Sequence, residues 1–299
     1  MRTLPLPLRD GVGPSCVALP TGDWPTIIEF LVQRFAAIPR STWEARIEAG
    51  DVVDEHGVPV TLIRPFEPRL RVYYYRALES EPRIPFEEVI LHRDEHLLAV
   101  DKPHFLPVTP VGKYVQESLL VRLRRRPGLQ DLAPVHRIDR ETAGIVLFSV
   151  QPATRGAYSA LFADREISKH YEAIVRWPGN QPLPAVHRSR LDADDHFMRM
   201  REVPGEPNSE TRFRLLAQRD GWARLDLSPV TGRRHQLRVH CAALGMPILN
   251  DAIYPELRPE GSDDFDHPLQ LLAREIAFRD PVDGSERRFT SPRSLTLPA

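Results

Sequence analysis

The sequence is poor in cysteine and has no long apolar run, and each shortage excludes a class of protein. Cys16 and Cys241 are the only two cysteines, so no disulfide scaffold, paired-cysteine metal site or redox motif can be built. No stretch approaches the roughly 20 apolar residues of a membrane span. The N-terminus lacks the apolar core, roughly 7–15 residues long, of a signal peptide. We therefore expect a soluble cytoplasmic protein.

The sequence also lacks an excess of charge of either sign, since 40 basic residues face 41 acidic ones and the net charge is −1. A neutral balance argues mildly against nucleic-acid binding, because that affinity comes from neutralising phosphates. Arginine nevertheless far outnumbers lysine and occurs in local clusters, at 122–126, 137–140 and 233–238. The first cluster is equally well explained as a solvated face. The location of the charge therefore matters more than its total.

What is present is an ordinary globular composition with many prolines. Hydrophobic residues make up 41% and charged residues 27%, which does not fit a disordered chain. The 30 prolines are about twice the average usage. Proline at this density favours a sheet-rich protein with many short connections.

The N-terminal third is predicted to form a small separate module. Residues 1–20 are rich in proline and glycine and are predicted to be an irregular arm. Residues 21–79 combine an apolar helical repeat at 27–35, a second helix capped by Ser41 and ending at Gly50, and several short β-like runs. The module carries seven arginines against nine acidic residues, which is a poor balance for gripping phosphates.

A larger domain is predicted from 86 to 293, after a linker at 79–89. Strands are predicted at 96–100, at 144–150 and at 168–177, the second one central because it is apolar throughout. Further alternating runs and two helical segments follow, the second helix capped by Thr231 and stopped by Gly245. Strands outnumber helices and do not alternate with them. The pattern predicts an α+β fold with a mixed or antiparallel sheet and flanking helices, plus the small N-terminal α+β module.

Polar and charged residues concentrate in four segments of the large domain. Asp139 lies between Arg137 and Arg140 just before an apolar strand, and neighbouring cations favour an ionised carboxylate suited to nucleophilic or base catalysis. A structural aspartate in a salt bridge at a turn explains the same pattern. Lys169 and Tyr171 share one face of a strand, where the tyrosine is either a stacking platform or a core residue.

The third segment is the basic run around His235 and Arg238, which would be helical neighbours, or simply a basic surface helix. His235 and His240 lie five residues apart, about 140° around a helix, which is poor for chelating one metal ion. The fourth segment is the turn at Asp101, Lys102 and Pro103, in which Lys102 is interpretable as a surface lysine.

Taken in order, these segments resemble the motifs of RluA-type pseudouridine synthases. The run HRIDRETAGIVLFS resembles their signature around the catalytic aspartate, and TGRRHQLRVHCAALGMPILNDAIY resembles their Thr-Gly-Arg-x-His-Gln helix. VDKPHFLPVTP and SKHYEAIV resemble two shorter motifs of the same family. The resemblance extends over about 200 residues. The run IEAGDVVDEHGVPV in the N-terminal module resembles an α-L RNA-binding module.

The resemblance implies isomerisation of specific uridines, in ribosomal or transfer RNA, to pseudouridine by a carboxylate without metal or cofactor. It implies that Asp139 attacks the base or the ribose, that Tyr171 stacks on the target base, and that Arg238 pairs with Asp139. The remaining polar residues of the motifs are expected to bind the substrate: Arg137, Lys102, Lys169, Arg233, His235 and Gln236. The expected partner is RNA, with no membrane contact, and the expected state is a monomer.

The sequence departs from the family pattern in four places that involve five residues, none of them the three expected catalytic residues. Ala143 replaces a serine, and Asn250 replaces a glycine before Asp251. His104 and Phe105 replace the small residues and glycine of the lysine–proline turn, and Leu272 stands at a position usually held by histidine.

Three alternatives remain open from the sequence. They are a non-catalytic RNA-binding or ribosome-assembly protein, a metal-dependent hydrolase using His235, His240 and Asp251, and a synthase acting on a free nucleoside. The arginine clusters favour a polymeric RNA over the free nucleoside.

Overall fold

The computed structural model describes residues 6–76, 81–177, 179, 182–259 and 263–298. The chain forms two compact units, one of Met1–Pro82 with Val111–Gln116 and Val121–Gln130, the other of Arg83–Pro110, Glu117–Leu120 and Asp131–Ala299. Residues 79 and 80, at the predicted boundary between module and linker, lie outside the described residues. Within those residues, no helix is long and apolar enough to cross a bilayer.

The first unit has two helices packed with a three-stranded antiparallel sheet in the order β1-β3-β2. Its core includes Ile27, Leu31, Trp43 and Val72, all of them buried. The elements are β1 (Ser15–Ala18), α1 (Ile27–Arg34), α2 (Arg40–Glu48), β2 (Val52–Asp54) and β3 (Arg71–Tyr74).

Two local predictions for this unit are wrong. The arm predicted to be irregular contains strand β1, which finds hydrogen-bonding partners on β3 that are distant in the sequence. Helix α2 begins at Arg40, with Pro39, not Ser41, in the capping position, and no side chain caps this helix start. Gly50 follows the end of α2 with φ of 72°, as predicted.

An 11-stranded sheet forms the second unit, in the order β10-β9-β11-β12-β8-β13-β7-β5-β4, with β14 paired to β13 and β6 paired to β7. The remaining elements of the chain are β4 (Val89–Arg93), β5 (Leu97–Lys102), α3 (Leu119–Arg124), β6 (Ala133–Pro134), β7 (Ala143–Ser149), α4 (Arg155–Ala163), β8 (Ile167–Arg176), β9 (Val186–Ala193), β10 (Met200–Val203), β11 (Ser209–Arg219), β12 (Trp222–Pro229), α5 (Gln236–Ala243), β13 (Leu271–Arg279) and β14 (Glu286–Thr290).

The sheet is mixed because β13 runs parallel to β7 while its other neighbours are antiparallel. This confirms the predicted α+β class. Every residue of β7 is buried, which confirms the central position expected from its apolar run. The residues of β5 are buried as well, Lys102 included, which excludes the alternative interpretation of Lys102 as a surface lysine.

The helix that follows Pro229 starts later than predicted. It begins at Gln236, and the capping position belongs to His235, whose backbone is left-handed with φ of 55°. The Thr231 hydroxyl does not cap the helix, because it accepts the Glu210 amide N–H at 2.9 Å and donates to the Gln236 side-chain oxygen at 2.6 Å. These bonds hold 231–235 as a loop. The helix ends before Gly245, as predicted.

We expect Gly144→Ala to lower the free energy of unfolding by at least about 3 kcal/mol. Gly144 has φ of 110°, and a Cβ there would collide with backbone atoms of Ala273 on the parallel strand, among them its carbonyl carbon at 2.7 Å and amide nitrogen at 2.8 Å. Urea denaturation followed by circular dichroism measures the loss.

Gly156→Ala is the matched control, since Gly156 lies in α4 and a Cβ there meets nothing within 4 Å. Alanine should stabilise that helix by about 0.5–1 kcal/mol. Equal stability of Gly144→Ala and wild type would show that β13 does not approach β7 this closely.

Candidate active site

Asp139 lies in the loop that joins β6 to the buried central strand β7. Its side chain remains 26% exposed although the strand that follows is fully buried. The Thr142 amide donates to the Asp139 carbonyl at 3.2 Å, which closes the loop just before β7 begins. The carboxylate is therefore presented to solvent from a rigid support.

The guanidinium of Arg238, on α5, faces this carboxylate from the protein interior. Its NH1 atom lies 3.3 Å from Asp139 Oδ2, and its side chain is only 1% exposed. Burial acts to lower the pKa of Arg238, but hydrogen bonds and charge from Asp251, with further help from Asp139, raise the pKa on balance. A permanent cation is therefore fixed beside the Asp139 carboxylate.

Asp251 is the stronger partner of Arg238. The role expected for it from the sequence was that of a metal ligand, in one of the alternatives. Its two carboxylate oxygens accept from Arg238 Nε at 2.8 Å and NH2 at 2.6 Å, a bidentate pair that is 1% exposed on both sides. Asp251 Oδ1 also accepts the amide N–H groups of Ile253 and Tyr254 at 2.8 and 3.1 Å. The pair leaves only NH1 of Arg238 directed at Asp139.

Tyr171 lies on β8, where it pairs with Leu227 of β12 and Ala273 of β13 in the middle of the sheet. Burial raises its pKa, and the nearby charge of Asp139 raises it further. Its hydroxyl is therefore a neutral donor at pH 7. Lys169 is two residues earlier on the same strand, and burial lowers its pKa, with a contribution from Arg165.

His235 is brought to the same carboxylate, with Nε2 at 3.8 Å from Asp139 Oδ1. Burial lowers the pKa of His235 although Asp139 acts to raise it, so the ring is neutral at pH 7. Its Nδ1 lies 3.0 Å from the Tyr254 hydroxyl, which itself accepts the Met200 amide N–H at 2.8 Å. The tyrosine proton is thus available to Nδ1, and the histidine proton points from Nε2 towards Asp139.

Two predicted substrate-binding residues are committed to the protein interior instead. Lys102 is fully buried, and Nζ donates to the carbonyl oxygens of Pro103, Leu106 and Arg140 at 2.9, 2.7 and 3.0 Å. Gln236 is 4% exposed, and its amide bonds to Glu210, Thr211, Thr231 and Arg233. Both hold loops next to the site rather than facing a ligand. In contrast, Arg137 and Arg233 are exposed, as a role in binding RNA requires.

Two of the departures from the family pattern are accommodated by left-handed backbone. Phe105 has φ of 65° and Asn250 has φ of 64°, where the family pattern has glycine. The Phe105 ring packs edge-on against Phe265, with centroids 5.0 Å apart. His104 Nδ1 lies 2.7 Å from the Glu141 carbonyl, so both substituted residues contribute to packing near the loop that carries Asp139.

The metal site considered among the alternatives is not assembled. Asp251 is occupied by Arg238, and His240 bonds to the hydroxyls of Thr211 at 2.9 Å and Ser209 at 2.9 Å. Among the described residues, the only group with metal-ligand spacing is His187, Glu202 and His240, which excludes His235 and Asp251. The Ser209 hydroxyl gives its proton to the Ser189 carbonyl, so it accepts from Nε2 of His240. The Thr211 hydroxyl accepts from the Gln236 amide, so its own proton is available to Nδ1. Both ring nitrogens of His240 are therefore satisfied.

Comparisons with known proteins identify the family. The family model for RNA pseudouridylate synthase matches residues 96–243, a range that contains Asp139, Tyr171 and Arg238. The dual-specificity RNA pseudouridine synthase RluA of Pasteurella multocida is 32% identical over 223 residues, 71% of this chain and 96% of the relative. Ribosomal large subunit pseudouridine synthase C of Vibrio cholerae is 32% identical over 266 residues, 85% of this chain and 79% of the relative.

Among solved structures, human RNA pseudouridylate synthase domain containing 1 matches with a TM-score of 0.56 and 25% identity, covering 72% of this chain and 86% of that one. The similarity of fold thus covers a share of the chain close to that covered by the sequence similarity to the Pasteurella relative. The expectation drawn from the motifs is confirmed: the chain belongs to the RluA-type RNA pseudouridine synthases, which isomerise uridine within RNA.

Proposed function

We propose that Asp139 is the catalytic carboxylate of this synthase and that it acts on uridines in ribosomal or transfer RNA. The observation that supports the role of Asp139 is its pairing with a buried arginine, whose NH1 lies 3.3 Å from a carboxylate that is still open to solvent. An anionic carboxylate held by a fixed cation is suited to nucleophilic attack on the uracil ring or the ribose.

The chemistry needs no redox partner and no metal for its balance. One nitrogen–carbon glycosidic bond breaks, the base turns and one carbon–carbon bond forms. The proton lost from carbon 5 is matched by one gained at the ring nitrogen that the broken bond leaves free. The released base has to be held while it turns, and the target has to leave its stack to reach the carboxylate. A carboxylate, an aromatic surface and a closed pocket suffice for these tasks.

Tyr171 is proposed as the aromatic surface on which the target base stacks. Its position beside Asp139 in the middle of the sheet supports that role. The raised pKa disfavours a phenolate, so the hydroxyl acts in this proposal as a hydrogen-bond donor or in a concerted proton transfer, not as a free base.

The class of RNA is proposed from two kinds of relative, one named for ribosomal large subunit RNA and one for dual specificity. Exposed Arg137 and Arg233 would contact its phosphates. The N-terminal unit is proposed as an accessory RNA-binding module with weak electrostatic attraction, given its net acidic charge. The proposed state is a monomer.

Pseudouridine mapping of total RNA from cells with and without the gene tests activity and substrate together. We expect one or a few uridines to lose the modification and to regain it with wild type. Asp139→Ala should not restore it, because its turnover falls about a thousandfold or more. Full restoration by Asp139→Ala would instead show that the modification does not depend on this carboxylate, and the catalytic role of Asp139 would be rejected.

We expect Tyr171→Phe to keep RNA affinity near wild type and to lose most of the turnover, because the ring remains and the hydroxyl is gone. Single-turnover kinetics on the mapped RNA separate the two effects. A wild-type rate in Tyr171→Phe would remove the hydroxyl from the mechanism and leave stacking alone.

Asp251→Asn should lower kcat about a hundredfold with little change in KM, because a misplaced Arg238 no longer faces Asp139. Asp251 is thus a positioning residue. Asp280→Asn is the matched control, since Asp280 is an equally buried aspartate whose Oδ2 lies 3.1 Å from Arg287 Nε at another place in the fold.

Both Asp251→Asn and Asp280→Asn should lower the thermal midpoint, and only Asp251→Asn should lower kcat. Equal loss of kcat in the two variants would show a general effect of breaking a buried ion pair, and the positioning role would then be rejected.

A further inference from the structure

The tip of the β9–β10 hairpin carries a phenylalanine that the fold leaves in solvent. Phe197 is 77% exposed, the second most exposed of the large hydrophobic residues described. The ring of the preceding residue, His196, stacks beside it with centroids 5.0 Å apart and planes inclined by 26°. Single exposed hydrophobic residues are common, so exposure alone does not indicate a site.

Packing contacts and hydrogen bonds hold the hairpin tip in place. Met198 and Met200 pack inwards against a cluster formed by Leu191, Val239, Ile253 and Tyr254. The Arg199 amide donates to the His196 carbonyl at 2.8 Å, and the Arg199 guanidinium donates to the Pro255 carbonyl at 2.8 Å. Phe197 is thus left out of a cluster that takes in its neighbour Met198.

The same tip is tied to the segment that carries the active site. Arg234 NH1 and NH2 donate to the carbonyls of Phe197 and Met198 at 3.0 and 3.1 Å. The next residue, His235, faces Asp139, and its Tyr254 partner accepts the Met200 amide N–H. A molecule bound on Phe197 would therefore lie beside the segment whose His235 faces the Asp139 carboxylate.

Charge on the tip itself is balanced, so attraction for an anionic polymer has to come from the neighbouring segment that carries Arg233 and Arg234. Arg199 and Arg201 are paired with Asp194 and Asp195. Arg234 is exposed and lies beside the His196–Phe197 ring pair, on the side of the active site. Its neighbour Arg233 is exposed as well. Aromatic rings flanked by arginine are the usual surface for unpaired nucleobases, because every base offers a π face and every nucleotide a phosphate.

We propose that Phe197, backed by His196, stacks on an unpaired nucleobase that flanks the target uridine, while Arg233 and Arg234 attract the adjoining phosphates. This inference rests on the proposed function, since it concerns the RNA that the synthase modifies. It assigns to the hairpin a part in holding the strand from which the uridine is extruded.

The test is binding of a fluorescein-labelled 12-nucleotide single-stranded RNA of mixed sequence, and of the same RNA annealed to its complement. We expect Phe197→Ala to weaken binding of the single strand about 5- to 100-fold and to leave duplex binding unchanged. Phe197→Trp should bind the single strand nearly as wild type does, because an aromatic ring is restored. Leu215→Ala is the control, an exposed apolar residue on β11.

Equal single-strand affinity of Phe197→Ala and wild type would overturn the inference, as would a wild type with no preference for the single strand. A change in oligomeric state in Phe197→Ala, with RNA affinity intact, would also overturn it and identify a protein contact. Failure of the proposed function is seen separately. In that case wild type restores no pseudouridine in mapped RNA, whatever the effect of Phe197→Ala on binding.

Discussion

The buried pair between Arg238 and Asp251 is the interaction on which the rest of the site depends. A guanidinium that is 1% exposed survives burial only if its charge and its donors are matched, and Asp251 takes two of its nitrogens at 2.6 and 2.8 Å. The remaining nitrogen faces Asp139 at 3.3 Å. The charge of Arg238 thus forms the buried ion pair with Asp251 and also faces the Asp139 carboxylate.

Many of the hydrogen bonds that hold the elements around this pair join a side chain to a backbone group. Lys102 joins the end of β5 to the carbonyl of Arg140, the residue after Asp139. Gln236 and Thr231 hold the loop before α5, and His235 takes a left-handed backbone to turn its ring towards Asp139. The exposed carboxylate is therefore presented by a frame that is itself almost entirely buried.

The outer part of the site is built in the opposite way, from exposed cations and one exposed aromatic residue. Arg137 and Arg233 are solvent-accessible, and Phe197 stands on a braced hairpin. This division matches the two tasks of an enzyme that modifies RNA. In the function proposed above, the buried interior sets the chemistry and the open, charged rim holds the RNA. A near-neutral chain can do this because its arginines are gathered locally, not because its total charge is high.

By itself the sequence determined the family, the α+β class and the central strand β7, because long motifs and a continuous apolar run are local features of the chain. It also indicated Asp139, Tyr171 and Arg238 through the resemblance of those motifs. It did not predict strand β1 or the late start of α5, since both depend on hydrogen bonds to residues distant in sequence. Only the tertiary structure decided that Lys102 and Gln236 are buried braces and that Asp251 orients Arg238, because burial and charge pairing are settled by what packs around a side chain.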